Sequence, residues 1–196
     1  ELSEDDASHA DSEKGPSVAE VVLDRYPVAQ FPARGHVARS LPLDGGGEVD
    51  RELMLTKANL HQRPTAPRAS LKAPSAKKRV NLIEQPTLLL RGWTAADSPC
   101  LPAIHVSPHN GGTRLWIHAP AVAERLTPGN SLDQWLMNQA ESVCLGEKWL
   151  PLLSAPLTKA SSFAVGNEQD AVSLRLDLSS EGEWRDWEFC LSRIKP

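Results

Sequence analysis

The chain has 196 residues, of which 40% are hydrophobic and 5% aromatic, and its net charge is −4, so it can bury one core of moderate size and part of another. It has no apolar run of the roughly 20 residues that span a membrane, and its acidic amino terminus is unlike a secretory signal. Its three cysteines are odd in number and too widely spaced for a disulfide framework, and we therefore expect a cytoplasmic protein with no membrane as partner.

The amino-terminal part is predicted to contain a disordered segment followed by a few small elements. Residues 1–16 are acidic and polar with almost no apolar side chains, which is typical of disorder. Residues 18–26 and 35–41 are short β-rich runs and predict two strands. Asp50 is predicted to cap a short helix over residues 51–59.

A basic strip follows. Residues 61–92 hold seven basic residues, and Glu84 is their one acidic residue. Prolines and the lack of an apolar periodicity predict an extended conformation. Such a strip can neutralise the phosphates of a single-stranded nucleic acid. It can equally be a solvated linker whose charge has no partner.

The next region predicts an antiparallel sheet. Residues 86–90, 102–106 and 113–118 are apolar, strand-like runs. The sequence Asn110-Gly111-Gly112 between the last two is a typical hairpin turn. The glycine and asparagine positions therefore predict a tight connection between neighbouring strands.

Two helices and a second hairpin complete the predicted elements. Asn130 or Ser131 is predicted to cap a helix through Ala140. A shorter helix starts near Ser154, with Pro156 in its first turn. Apolar and polar residues then alternate in two runs joined by a glycine turn, which predicts a hairpin. Four tryptophans fall at positions where we expect core packing, namely Trp116, Trp135, Trp149 and Trp187.

Several short motifs occur in a characteristic order along the second half of the chain. They are Arg114-Leu-Trp-Ile-His-Ala-Pro-Ala, Pro128-Gly-Asn-Ser-Leu-Asp133, Glu141-Ser-Val-Cys-Leu145 and Leu150-Pro-Leu-Leu-Ser-Ala-Pro-Leu157, followed by the second hairpin. This order resembles the first part of the catalytic (RNB) domain of the ribonuclease II and ribonuclease R family. In the first half, Arg34-Gly-His-Val37 and Leu55-Thr-Lys-Ala-Asn-Leu60 resemble the end of the cold-shock-type OB domain that precedes it.

The resemblance implies an α+β fold, with a mainly antiparallel sheet and short helices beside a small OB-like β fragment. The domain boundaries that follow are a disordered segment 1–16, the end of an OB domain 17–60, a basic linker 61–80 and the amino-terminal part of an RNB-like domain 81–196. Because no methionine starts the chain and a strand-like run ends it, we expect an excerpt of a longer polypeptide.

The chain departs from the family where the metal ligands belong. The resemblance implies four aspartates that hold magnesium in the loop between the first two strands of the catalytic domain. Here that loop, residues 91–102, has Asp97 as its single carboxylate, and Leu101-Pro102 replaces the expected aspartate pair. One carboxylate cannot assemble a two-metal site. We therefore predict no catalytic residue, no metal ligand and no cofactor in this chain, with magnesium only if it is active.

Other site chemistries find weaker support in the sequence. Cys100, His105 and His109 offer ligand types that zinc accepts, but their spacing matches no common zinc motif. The chain lacks a Gly-x-Ser-x-Gly nucleophile elbow. A hydrolase with a serine or cysteine nucleophile is therefore not favoured.

We predict a catalytically degenerate, RNA-binding protein of the ribonuclease II type, with single-stranded RNA as partner and DNA not expected. The residues predicted to contact RNA are Lys72, Lys77, Lys78, Arg79 and Arg91 for phosphates and Trp93 for a base. Two alternatives stay open. The chain can belong to an active, magnesium-dependent 3′-5′ exoribonuclease whose ligands lie outside it, or it can be a protein-interaction module whose basic strip binds an acidic partner.

Overall fold

A β-hairpin and a helix form the first of two units in the computed structural model, which describes residues 15–60, 64–74, 78–139 and 141–196. The units are residues 1–65 and 66–196. In the first, β1 (Ser17–Arg25) pairs antiparallel with β2 (Arg34–Pro42), and α1 spans Gly47–Lys57. The two predicted strands are confirmed. Disorder is predicted for residues 1–16. Residues 1–14 of this segment lie outside the described residues.

The start of α1 corrects the sequence prediction. The helix begins four residues before residue 51, and Asp50 lies in its first turn rather than at its cap. Gly46 is the N-cap residue, with φ of 71° and no side-chain capping bond. Only glycine adopts that backbone conformation without strain, so the glycine run sets the start of the helix.

The second unit is built on a six-stranded sheet in which all pairs but one are antiparallel. Its strands are β3 (Val80–Leu82), β4 (Leu88–Leu89), β5 (Ala103–His109), β6 (Gly112–Pro120), β9 (Gln169–Leu178) and β10 (Trp184–Ile194). Their order is β3-β10-β9-β6-β5-β4, and only β3 and β10 run parallel. With its few short helices, this unit confirms the predicted α+β class.

Smaller elements connect β6 to β9. They are a 3-10 turn (Val122–Arg125), α2 (Ser131–Gln139), a two-stranded ribbon of β7 (Val143–Leu145) and β8 (Lys148–Leu150), and α3 (Ala155–Ala160). Asn130 caps α2, because its Oδ1 accepts the backbone N–H of Asp133 at 2.8 Å. Pro156 lies in the first turn of α3. Both predicted helices of this region are confirmed.

Local residue chemistry closes the first hairpin of the sheet. Asn110 and Gly111 connect β5 to β6 with φ values of 46° and 73°, as in a turn with two left-handed residues. Gly112 follows, and a Cβ there would lie 2.0 Å from the carbonyl oxygen of Leu178 on β9. The glycine at this position therefore lets β6 and β9 pair.

The two faces of the sheet differ in a way that the sequence alternation did not predict. The covered face carries small and polar residues, and Phe163, from the segment after α3, packs there against Ala103, Ala171 and Ile194. The other face is rich in apolar residues and only partly covered. We call it the apolar face; its members include Ile104, Val106, Leu115, Ile117, Val172, Leu174, Leu176, Trp187 and Phe189.

The tryptophans predicted to lie in the core differ in their burial. Trp187 is 50% exposed on the apolar face, so its predicted core position is wrong. Trp116 is buried on the opposite face, and Trp135 packs against the buried cluster of α2 and α3. Alternation identifies two faces of a strand, but the segments that pack on them decide which face is covered. None of the helices in the described ranges is long and apolar enough to cross a membrane.

Candidate nucleic-acid interface

The loop of residues 91–101, which connects β4 to β5, is folded against the ribbon and the segment after α3. The Thr94 hydroxyl donates to the carbonyl oxygen of Gly146 in the ribbon turn, at 2.7 Å. The backbone N–H of Cys100 donates to Ser162 Oγ at 2.9 Å, and its carbonyl accepts from Phe163 at 3.1 Å. These bonds hold the loop in one conformation beside the ribbon.

Trp93 in this loop contacts Trp149 in β8. Their ring centroids are 5.7 Å apart and the planes are inclined by 48°, a favourable tilted arrangement. Trp93 is 51% exposed, while Trp149 is partly buried. The pair therefore presents an aromatic surface at the edge of the unit, and a base can stack on such a surface.

Trp149, which the sequence predicts in the core, is only partly buried, and its contact with Trp93 is not predicted. The ribbon that carries Trp149 has two strands of three residues each, joined by a turn at Gly146. Such a ribbon has no third strand to cover both sides. A tryptophan on it is therefore held by contacts from elsewhere in the fold, and here the loop supplies them.

Arg91 lies at the base of the same loop. Its backbone bridges to Leu101, and its Nη2 contacts Cys100 Sγ at 3.6 Å. The side chain is exposed, and no carboxylate among the described residues forms an ion pair with it. Its charge is thus available to an anion near the tryptophan pair.

The described lysines of the basic strip are exposed but differ in their backbone contacts. Lys72 is exposed, and its backbone is fixed to the 3-10 turn: its N–H donates to the carbonyl of Arg125 at 2.9 Å, and its carbonyl accepts Arg125 Nε at 2.6 Å. Lys78 is also exposed. Lys77 lies outside the described residues. Lys72 can therefore face a polyanion from a hydrogen-bonded backbone, and the Lys78 side chain is open to solvent.

Arg79 occupies a different environment from the other predicted RNA contacts. Its side chain is only 6% exposed. It forms ion pairs with Glu124 and, through Nε at 3.2 Å, with Asp170, which also pairs with Arg193 at 3.0 Å. Two carboxylates already match the Arg79 charge, so this placement favours a role in joining β3 to the 3-10 turn and β9.

The residues of the loop do not fit a magnesium site. Asp97 is exposed and is the single carboxylate of the loop. Within the ranges that the structure describes, no three histidine, cysteine or acidic side chains are grouped so as to hold a metal ion. Magnesium requires several oxygen ligands and negative charge to balance its own, and the loop supplies a single carboxylate for both.

The buried carboxylate of the sheet is held by arginine. Asp177 accepts a bidentate pair of hydrogen bonds from Arg114, at 2.6 and 2.8 Å. These bonds hold the pKa of Asp177 below its usual value, although partial burial opposes them. The carboxylate is thereby kept charged and occupied, so it is not available as a metal ligand or general base.

A buried histidine lies on the covered face. His118 Nδ1 is 2.6 Å from Ser173 Oγ, which in turn is 2.5 Å from Ser192 Oγ. Burial lowers the pKa of His118 to about 4, so the ring is neutral near pH 7. Its Nε2 has no hydrogen-bond partner among the described residues. This network lies inside the fold and is not part of the loop that carries Arg91 and Trp93.

Comparisons with known proteins find a family model and relatives that match this chain. Residues 79–196, more than half of the chain, match the family model described as RNB domain. Protein sts5 of Schizosaccharomyces pombe is 33% identical over 94 residues, which are 48% of this chain and 9% of that protein.

Solved structures show the same fold at low sequence identity. Yeast Ssd1, described as a pseudonuclease, matches with a TM-score of 0.69 and 19% identity over 99% of this chain and 26% of its own. RNase R of Mycoplasma genitalium was solved with ribose-methylated single-stranded RNA and with double-stranded RNA. These two structures match with TM-scores of 0.69 and 0.68 at 15% and 13% identity, and this chain covers 31% and 35% of them. The chain thus spans a minor part of each of these relatives.

Proposed function

The chain belongs to the RNB domain family, and we propose that it is a ribonuclease II-type domain part that holds single-stranded RNA without cutting it. The observation that carries the proposal is the composition of the loop of residues 91–101. It presents an exposed arginine and a half-exposed tryptophan, but one carboxylate. A surface of this kind can bind phosphate and base, and it lacks the ligands for metal-assisted hydrolysis.

Exposed basic residues in three separate segments of the second unit support an extended polyanion as partner. Lys72, Lys78 and Arg91 are exposed, and each can neutralise one phosphate and release its counterions. Extended single strands fit separate contacts of this type, because successive phosphates and bases reach them independently. Among the related structures, RNase R holds RNA and Ssd1 is a pseudonuclease, and both properties together are what we propose for this chain. A cytoplasmic location remains a prediction.

Labelled single-stranded RNA tests the proposal directly. We expect a mobility shift that weakens with added salt, and no shortening of the RNA with or without Mg²⁺. Shortening in Mg²⁺ would show an active exoribonuclease, and the absence of any shift would favour the protein-interaction alternative. Either result would overturn the proposal.

Matched variants assign the contact. Arg91→Ala should lower the slope of log affinity against log salt concentration by about one. Arg185→Ala is the control: Arg185 is also exposed, but it lies in β10, away from the loop, and contacts the carbonyl of Asn110 in the turn between β5 and β6. An equal loss in both variants would indicate a nonspecific charge effect rather than a site at the loop.

A further inference from the structure

A small cavity lies beside Trp149, between the loop, the ribbon and α3. Its volume is about 140 Å³. The apolar walls are Pro99, Leu101, Trp149, Pro151 and Leu153, and three hydroxyl groups complete the lining. No acidic side chain is among its lining residues. The chain thus has an aromatic and apolar recess next to its exposed Arg91.

The size of the cavity matches one flat ring. An apolar cavity of about 150 Å³ is known to hold a single benzene molecule. The recess here therefore accommodates a six-membered ring, and a bicyclic purine exceeds it. Trp149 forms one wall, so a ring inside it can stack on the indole.

The hydroxyl groups give the cavity a hydrogen-bonding preference. The Thr158 hydroxyl donates to the carbonyl of Leu153 at 3.0 Å, and the Ser161 hydroxyl donates to the carbonyl of Thr158 at 2.9 Å. Each oxygen then keeps lone pairs to accept from a ligand. The ring N–H of uracil or the amino group of cytosine can supply this donor. Purines carry donors as well, so the preference for a pyrimidine rests on the size of the cavity.

The other cavities of the unit are less suited to a nucleotide. One, of about 410 Å³, is lined by Glu124, Glu168 and Asp170, and another, of about 320 Å³, by Asp177 and Asp186. Three of their lining arginines, Arg114, Arg175 and Arg193, pair with these carboxylates. The remaining negative charge and the paired cations disfavour a phosphate chain, whereas the aromatic cavity has an unpaired arginine beside it.

We propose that the cavity at Trp149 binds one pyrimidine base of single-stranded RNA, while the exposed face of Trp93 stacks the neighbouring base and Arg91 contacts the phosphate between them. This inference rests on the proposed function and adds to it a place and a base class. It predicts that the chain prefers oligouridylate to oligoadenylate of the same length.

Fluorine NMR of the unmutated chain labelled with 5-fluorotryptophan is the first measurement. We expect oligouridylate to shift the resonances of Trp93 and Trp149 and to leave that of Trp187 unchanged. Binding of RNA without a shift at Trp149, or a preference for oligoadenylate, would overturn the cavity assignment and leave the proposed function standing. Absence of any RNA binding would overturn both.

A pair of matched variants supplies the second measurement. Trp93 and Trp187 are 51% and 50% exposed, so alanine at either position removes a similar exposed indole. Trp93→Ala should weaken oligouridylate binding about tenfold, since base stacking on an aromatic ring is of that order. Trp187→Ala should leave binding unchanged. Equal effects of the two substitutions would contradict the stacking role of Trp93.

Discussion

Substitution of Arg79 separates a structural role from an RNA contact. Arg79→Ala removes the cation between Glu124 and Asp170. Asp170 keeps its ion pair with Arg193, but Glu124 is left as an uncompensated, mostly buried carboxylate. Breaking a fully buried pair costs about 3–5 kcal/mol; because both carboxylates retain some exposure, we expect about 2–3 kcal/mol. For a unit of this size that corresponds to a fall in Tm of roughly 5–12 °C.

Thermal unfolding followed by circular dichroism measures this loss. Arg91→Ala is the control and should keep the Tm of the parent chain, because Arg91 is exposed and forms no ion pair among the described residues. Adding Glu124→Gln to the Arg79→Ala variant should restore part of the stability, since it removes the stranded charge. An unchanged Tm together with lost RNA affinity in Arg79→Ala would refute the reasoning and show that Arg79 contacts phosphate.

Three further predictions concern the sheet. Because burial lowers the pKa of His118 to about 4, the unfolded chain binds a proton below about pH 6.5 that the fold does not. The contribution of His118 to the free energy of unfolding should thus be fully present above pH 6.5. It should be lost, by about 3 kcal/mol, as the pH falls toward 4. Urea titrations should find this pH dependence reduced in His118→Asn. Gly112→Ala should destabilise the unit by at least about 2 kcal/mol in the same assay, because its Cβ would lie 2.0 Å from the Leu178 carbonyl oxygen. The combined Trp187→Ser and Phe189→Thr substitution should reduce binding of the dye ANS without loss of circular dichroism, since both side chains are half or more exposed on the apolar face; unchanged dye binding would contradict this assignment.

The elements that the sequence predicted correctly depend on residues close together in the chain. Asn110-Gly111 requires a tight turn because both residues adopt positive φ. Asn130 caps α2 through its own side chain. The alternation in β9 and β10 predicts their pairing because a strand repeats every two residues. The predicted start of α1 was wrong because the helix begins after Gly46, whose positive φ makes it the N-cap residue, and not after Asp50.

The candidate site was predicted only in part. The sequence predicted Arg91 and Trp93 as RNA contacts in one loop and showed that this loop has a single carboxylate. It could not place Trp149 beside Trp93, because 56 positions separate them and the contact depends on how the ribbon packs. Nor could it distinguish Arg79 from the lysines of the same strip.

The amino-acid sequence by itself therefore determined the hairpins, the helix of residues 131–139 and the lack of a carboxylate cluster in the loop, since each is a property of neighbouring residues. The tertiary structure decided which side of the sheet is covered, which cations are paired and which tryptophans meet at a cavity. The physical reason is that burial and ion pairing are set by segments distant along the chain, such as Phe163 against β5 and Glu124 against Arg79.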